Sequence, residues 1–293
     1  MKLMRTRTVN LGNRANSPIM AIMPPTSLFH IAFYKFVRIA DPKTVVGDLT
    51  LITLNLTGSI LVASEGINGM LAGTADQLDA FVEALAVDAN FRGMFAGIAY
   101  KRTHCDVKPF GRLKIHLKKE IVPLGIEGVD ATKRTGINVS PQAWRELIAR
   151  DDVVVIDNRN GFEYQMGHFH NAVNPQVRNF RDFPKYMEQN LPQWQADGKK
   201  IAMYCTGGIR CEKAGAWMAG LGVPVYQLEG GILNYLAQML DPQREWQGDC
   251  FVFDNRLSLD AGLKQTGTSP DEVYANEPDA DWRIARARRL AAS

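Results

Sequence analysis

The apolar run Ile201-Ala-Met-Tyr204 leads straight into Cys205-Thr-Gly-Gly-Ile-Arg210 and then into a helix-forming stretch from Glu212 to Leu221. No other feature constrains the chain as much. A short buried strand that ends in a glycine-bearing turn and feeds a helix is half of a βαβ unit. Two further runs of the same kind, Val153-Val-Val-Ile156 and Val225-Tyr-Gln-Leu228, lie on either side in sequence. Runs without polar alternation suit strands covered on both faces. Ser140-Pro141 opens a helix through Arg150, with proline at the first helical position, and Ile232 to Met239 forms another. Strands alternating with helices predict a parallel α/β sheet in this half of the chain.

The first half reads differently. Residues 29–39 form an aromatic strand, and a helix follows Asp41-Pro42 through Leu54. Gly58 to Gly69 reads as one strand ending in a glycine-punctuated turn. Thr74 caps a helix with Leu78, Phe81, Val82 and Leu85 on one face, and two strands follow near Ile98–Arg102 and Arg112–Ile121. This order approximates βαββαβ, the pattern of a ferredoxin- or acylphosphatase-like α+β domain. The expected division is a flexible extension over 1–28, this α+β domain over 29–128, a parallel α/β domain over 129–245, and a C-terminal extension over 246–293 whose tail from Gln265 is mobile.

A chain of 293 residues, 46% hydrophobic and 22% charged, has room for two modest soluble domains. Four cysteines (Cys105, Cys205, Cys211, Cys250) show neither Cys-x-x-Cys pairing nor zinc spacing, so free thiols in a reducing, cytoplasmic compartment are expected. No apolar run reaches the roughly 20 residues a bilayer requires. The first 28 residues are Arg-rich and acid-free without the apolar core of a signal peptide, so a flexible extension or an overlong start ahead of Met20 or Met23 is expected.

Net charge is only +3, but from Lys101 to Lys119 seven basic residues meet one acid. Lys101, Arg112, Lys114, Lys118 and Lys119 are therefore candidates for binding a polyanion such as RNA; a solvated strand face is the alternative. The closing cluster Arg283, Arg286, Arg288 and Arg289 has the same two readings.

Cys205 stands where a strand meets a helix. There the loop amides turn inward and the helix directs its positive end at the sulfur, and both favour thiolate over thiol. Thr206, Gly207, Gly208 and Ile209 form the loop, with the glycines allowing its curled path, and Arg210 is expected to add fixed positive charge at the rim. Such a cradle stabilises a persulfide, a bound oxyanion or another anionic adduct. Cys211, next along, either resolves an oxidised Cys205 or packs. No glycine-rich nucleotide motif or metal-ligand cluster appears, so no bound cofactor and no metal are expected.

Upstream, Asp157-Asn-Arg159, Glu163-Tyr and Gly167-His168 follow a strand end. With the cysteine loop they resemble the rhodanese superfamily over about 100 residues. That resemblance implies that Asp157, Arg159 and His168 order the domain around the loop. Four residues separate Cys205 from Arg210. Cell-cycle phosphatases on this fold use five, so the shorter loop argues for sulfur- or oxygen-type chemistry.

A narrower resemblance takes in Phe33-Tyr-Lys-Phe36, Ile60 to Gly69, Pro109 to Lys114, Lys119 to Val122, Phe180-Arg181-Asp-Phe183-Pro184, Tyr204 to Lys213, Leu228 to Ile232 and Gly248 to Arg256. Over residues 29–260 the chain is similar to bacterial tRNA uridine hydroxylases that join an N-terminal domain to a rhodanese module. Membership implies oxygen-dependent hydroxylation of the wobble uridine at C5, giving 5-hydroxyuridine, with molecular oxygen as co-substrate and a tRNA anticodon stem-loop as partner. It implies Cys205 as the catalytic residue, with Arg181 and Cys211 in support, and no protein partner or membrane. Extra tail cysteines found in some members are absent here, which removes any case for a metal. Thiolate addition at C6 of the pyrimidine and an oxygenated Cys205 sulfur are both open as the chemical step. A sulfurtransferase or persulfide carrier using the same cysteine is the alternative function.

Overall fold

The computed structural model describes residues 27–291. The expected extension over 1–28 lies outside them apart from Ser27 and Leu28, and Leu28 already begins the first strand.

The N-terminal domain is built from β1 (Leu28–Phe36), α1 (Pro42–Ile52), β2 (Thr57–Ala63), β3 (Gly66–Gly73), α2 (Ala75–Val87), β4 (Lys101–Cys105) and β5 (Leu113–Leu117). Sheet order is β4-β1-β3-β2-β5, antiparallel except where β5 runs parallel to β2. The sequence reading of Gly58–Gly69 as a single strand is corrected here. Ser64 and Glu65 turn the chain back, and β2 and β3 pair as a hairpin. Gly66 makes this possible at φ +146°, where a side chain would drive into the Lys35 backbone. Local signals fix both helices. The Asp41 carboxylate accepts from the Lys43 and Thr44 amides ahead of Pro42, and Thr74 and Gln77 form a reciprocal capping box.

The second domain contains β6 (Ile137–Val139), α3 (Pro141–Ile148), β7 (Val153–Asp157), α4 (Gly161–Met166), β8 (Gly167–Phe169), α5 (Phe183–Ala196), β9 (Lys200–Tyr204), α6 (Ile209–Gly220), β10 (Val225–Leu228) and α7 (Gly231–Gln238). Its sheet, ordered β6-β10-β9-β7, is parallel throughout. Strand β9 shows the two-residue period: Ile201 and Met203 pack with Phe183, Met187 and Met218, whereas Ala202 and Tyr204 pack with Trp144, Phe169 and Tyr235 on the opposite side. With hydrophobic layers on both faces, β9 is clamped, and the chain leaves it at Cys205 in a set direction.

The C-terminal extension adds β11 (Trp246–Gly248) antiparallel to β8, and β12 (Cys250–Phe251) paired with β13 (Ser258–Leu259). The tail from Gln265, expected to be mobile, instead carries α8 (Pro270–Tyr274) and α9 (Ala280–Ala291). Tyr274 lies against Phe162, ring centroids 5.1 Å apart, and Arg283 covers both rings. The polar-looking tail gains its packing surface from aromatics more than a hundred residues upstream, a contact that no local pattern announces.

Candidate active site

The cysteine loop is held open from outside. Its carbonyls point away from the sulfur and each finds a donor: Ile232 N donates to Cys205 O at 3.0 Å, Leu233 N to Thr206 O at 3.1 Å, and Lys101 Nζ to Gly207 O at 2.8 Å. With the carbonyls turned outward, amides face inward, and Gly208 N donates to Cys205 Sγ at 3.1 Å. Two glycines carry the curvature. Gly208 has φ +102°, with the Tyr34 hydroxyl 2.8 Å from where a Cβ would stand. Gly231, at φ +70°, lets α7 begin hard against the Cys205 and Thr206 carbonyls.

The Cys205 thiol is buried, which by itself favours the neutral form and is the largest influence on it. That effect is outweighed by a hydrogen bond from the Cys211 thiol, by the charge of Arg210, and by the amides of Cys211 and Gly208; together they bring the group down to about 5. Cys205 is therefore a thiolate at neutral pH. Cys211 moves the other way. Burial, then its hydrogen bond to Cys205, hold its thiol well above the ordinary value, so it stays protonated and donates. Cys211 thereby stands as a protonated thiol next to the Cys205 thiolate.

Arg210, expected at the rim, is corrected to an interior position. Its guanidinium is buried and forks onto Glu163, with both N–O distances 2.8 Å. Burial alone would neutralise Glu163, but Arg210 and then Arg159 hold its carboxyl below the usual range. Behind it, Arg159 forks onto Asp157 (2.8 and 2.6 Å) and donates to Gly167 O at 2.6 Å, both side chains fully buried. His168 donates from Nδ1 to the Tyr164 carbonyl at 2.9 Å and contacts Gln247 through Nε2 at 2.7 Å, tying α4 to β11. Neither contact brings His168 to Cys205. Arg181 is exposed before α5, its stem beside Gly125 rather than the loop.

The N-terminal domain reaches the site through its β4 edge and the exposed face of β1. Besides Lys101, Tyr34 donates its hydroxyl to Glu212 at 2.7 Å, and Lys101 lies 5.5 Å from the Tyr34 ring centroid. Burial lowers the Lys101 ammonium, opposed by the charges of Cys205 and Glu212, and burial raises the Glu212 carboxyl. A second bridge lies deeper. Lys213, one turn along α6 from the loop, pairs with Glu65 of the β2–β3 turn and with Glu120, the latter at 3.3 Å. The cysteine loop is thus a junction between the two domains.

The five basic candidates do not share a face. Lys101 is on β4 at the loop, while Arg112, Lys114, Lys118 and Lys119 lie around β5, at the opposite edge of the five-stranded sheet. Lys114, His116 and Lys118 alternate along β5 and just past its end. Burial and the charges of Lys118 and Lys114 lower His116, so the positive charge of this ridge is that of the two lysines. The terminal arginines are partly neutralised: Arg283 meets Asp279 at 2.8 Å and Arg288 meets Asp271 at 2.7 Å.

Tyr34 and Glu212 were not among the sequence candidates, and Glu163 was noted only as part of the rhodanese pattern, without a role. Tyr34 had a usable signal, because Phe33 belongs to the domain core and the strand period turns its neighbour to the other face. Glu212 had none, since its partner is 178 residues away.

Residues 29–121 match the UPF0176 acylphosphatase like domain family, and residues 140–238 match the rhodanese-like domain family. Over most of its length the chain is similar to proteins named tRNA uridine(34) hydroxylase from the Corby and Paris strains of Legionella pneumophila, 39% identical over 261 residues, 88% of this chain and 97% of each relative. The chain belongs to the tRNA uridine(34) hydroxylase family. The Lens strain relative shows the same identity and the same coverage. Within this family frame the two domains are one unit, and they meet on the cysteine loop. Among the described residues no three His, Cys, Asp or Glu side chains converge as a metal site, and no helix is long and apolar enough to cross a membrane.

Proposed function

We propose that this chain hydroxylates the wobble uridine of tRNA at C5, giving 5-hydroxyuridine, with Cys205 as the nucleophile and molecular oxygen as co-substrate. The similarity to proteins named for that reaction spans both domains and 97% of each relative. One structural observation supports it most: a lysine of the N-terminal domain completes the hydrogen bonding of the cysteine loop. Sulfur transfer on a rhodanese loop alone gives no reason for that contact.

Cys205 adds as thiolate to C6 of the uracil, forming the S–C6 bond while the C5–C6 pair shifts toward C5 and the O4 carbonyl. C5 thereby becomes the electron-rich carbon that takes up molecular oxygen and a proton as a C5 hydroperoxide. A thiol reductant from solution, oxidised to its disulfide, cleaves the O–O bond to give the C5 alcohol and water. Loss of the C5 proton then expels Cys205 from C6 as thiolate and restores the C5–C6 double bond. The amides that hold the free thiolate release it into the S–C6 bond, and Cys211, still protonated, stays beside it. No tightly bound redox cofactor is assigned. Cys205 is only 1% exposed, so a base must displace part of the cover over the loop to reach its sulfur. An anticodon loop supplies such a base, because single-stranded loops present unstacked bases. The phosphate grip is assigned to the Lys114–His116–Lys118 ridge, and the compartment to the cytoplasm, where tRNA is found.

Mass analysis of wobble nucleosides in tRNA from a deletion strain tests this reading. Wild type restores 5-hydroxyuridine derivatives and Cys205→Ala does not. Unchanged nucleosides in the deletion strain sink it. Thiosulfate:cyanide transfer by the purified chain would then favour the persulfide-carrier reading, which the amide cradle also suits.

A further inference from the structure

We infer that Phe253, on the C-terminal extension, is the aromatic platform on which the target base stacks as it approaches Cys205; this rests on the function proposed above. Phe253 is 51% exposed, and its ring centroid lies 5.8 Å from the Arg210 guanidinium, inside the cysteine site. Other exposed apolar side chains, such as Leu54, Leu240 and Trp282, have no contact of this kind with the loop. Single exposed apolar residues are ordinary on a protein surface. What sets Phe253 apart is its mounting.

The ring stands at the tip of a tight turn. Val252 N donates to Leu257 O at 2.8 Å, and Leu257 N to Asp254 O at 3.0 Å. Directly after Phe253, Asp254 and Arg256 form a buried two-point pair (2.8 and 2.7 Å), and Arg256 reaches on to Thr103 of β4 at 2.9 Å. Asn255 N donates to Pro109 O at 3.1 Å. From below, Phe251 meets the Phe253 ring edge-on, centroids 4.9 Å apart at 87°. A half-exposed ring therefore stands on a turn anchored to the N-terminal domain, with Arg210 on one side, Phe251 beneath it and the remainder in solvent. Stacking on such a ring is sequence-tolerant and already ordered before binding. The neighbouring aromatics are committed elsewhere: Tyr34 to Glu212, Tyr204 to the core.

Phe253→Ala, Phe253→Leu and Phe253→Trp in the full chain test the inference. With tRNA as substrate, Ala and Leu lose roughly 5- to 150-fold in kcat/KM and Trp stays near wild type, the range expected of one base–aromatic stack. Binding of an anticodon stem-loop RNA carrying a fluorescent purine beside the wobble position weakens in parallel. Cys205 alkylation is unchanged in all three. The inference is overturned if Leu restores activity as well as Trp, if Ala equals wild type, or if alkylation changes, which would mean that the ring acts through Arg210. A wild type that forms no 5-hydroxyuridine on any tRNA overturns the proposed function instead, and the binding arm still decides the role of Phe253.

Discussion

Lys101 of the N-terminal domain donates its ammonium proton to the Gly207 carbonyl at 2.8 Å, inside the cysteine loop of the other domain. This bond is the third of three that turn the loop carbonyls outward, and it makes the anion-holding geometry a property of both domains together. Lys101→Met leaves the Gly207 carbonyl without its charged donor. A hydrogen bond to a charged group contributes about 1.5–3 kcal/mol, so turnover should fall roughly 10- to 100-fold. Steady-state kinetics on tRNA check this. A rise in KM with kcat intact would make Lys101 a phosphate contact and no part of the loop.

Lys114→Ala with Lys118→Ala should behave in the opposite way. Both lie at the β5 edge, across the sheet from the loop, so Cys205 reactivity stays as it is. Removing one lysine–phosphate ion pair lowers the dependence of log affinity on log salt by about 0.7–0.9. Filter binding of tRNA across a salt series should show the slope reduced by about 1–2 for the double variant. An unaltered slope removes the ridge from the RNA-binding surface.

Cys205 ionises near 5, against 9.0 for an ordinary thiol. Alkylation of the folded protein should therefore rise with pH around a midpoint near 5 and be flat above neutrality. Cys211→Ala removes the hydrogen bond that does most to hold the thiolate, and the midpoint should climb by about 1–2 pH units. Ultraviolet absorbance of the thiolate follows both titrations. Equal midpoints in the two proteins would return Cys211 to plain packing.

Glu163→Gln leaves Arg210 buried with a neutral partner. Breaking one side of a buried pair costs about 3–5 kcal/mol, and urea denaturation should show a loss of that order. Because Glu163 also accepts a weak contact from Thr206 Oγ1, at 3.5 Å, the loop itself should loosen, measured as faster amide exchange at Thr206–Gly208. A loss below about 1 kcal/mol would mean that Arg210 finds another partner.

His30 is buried in β1, and burial lowers it to about 4 from 6.5, with Asp254 opposing and Arg256 assisting. The unfolded chain takes up this proton as pH falls through 6.5, whereas the folded one does so only near 4. Stability from this group is therefore full above 6.5 and drains as pH drops toward 4. A difference of 6.5 − 4 = 2.5 pH units corresponds to about 3 kcal/mol at most. Urea midpoints at about pH 7 and about pH 5 should separate more for wild type than for His30→Phe. Equal separations would show that other groups dominate the acid limb.

Much of the active site is written locally. A β-branched or apolar strand, a turn with two glycines and an amphipathic helix specify a loop of inward amides wherever they occur in a parallel sheet, because each choice depends only on near neighbours. Cys205 and the glycines of its loop were legible for that reason. So were the capped starts of α1, α2 and α3. Asp157 and Arg159, by contrast, were marked only by the family resemblance, and their pairing was not marked at all. The β2–β3 hairpin was less legible because Ser64-Glu65 lacks the usual Asn-Gly or Asp-Gly turn pair, and only the pairing with β1 shows where the strand resumes.

Sequence by itself determined that one cysteine would be held as an anion between strand and helix, since backbone direction and glycine freedom are local quantities. Tertiary structure alone decided what surrounds it: that Arg210 turns inward to Glu163, that Lys101 serves the loop while the other basic candidates line a distant edge, and that the Phe253 ring lies beside the Arg210 guanidinium. Those outcomes depend on which edge of one sheet docks on the loop of another domain. Docking is set by shape and charge summed over contacts far apart in the chain, and no single stretch of residues carries that sum.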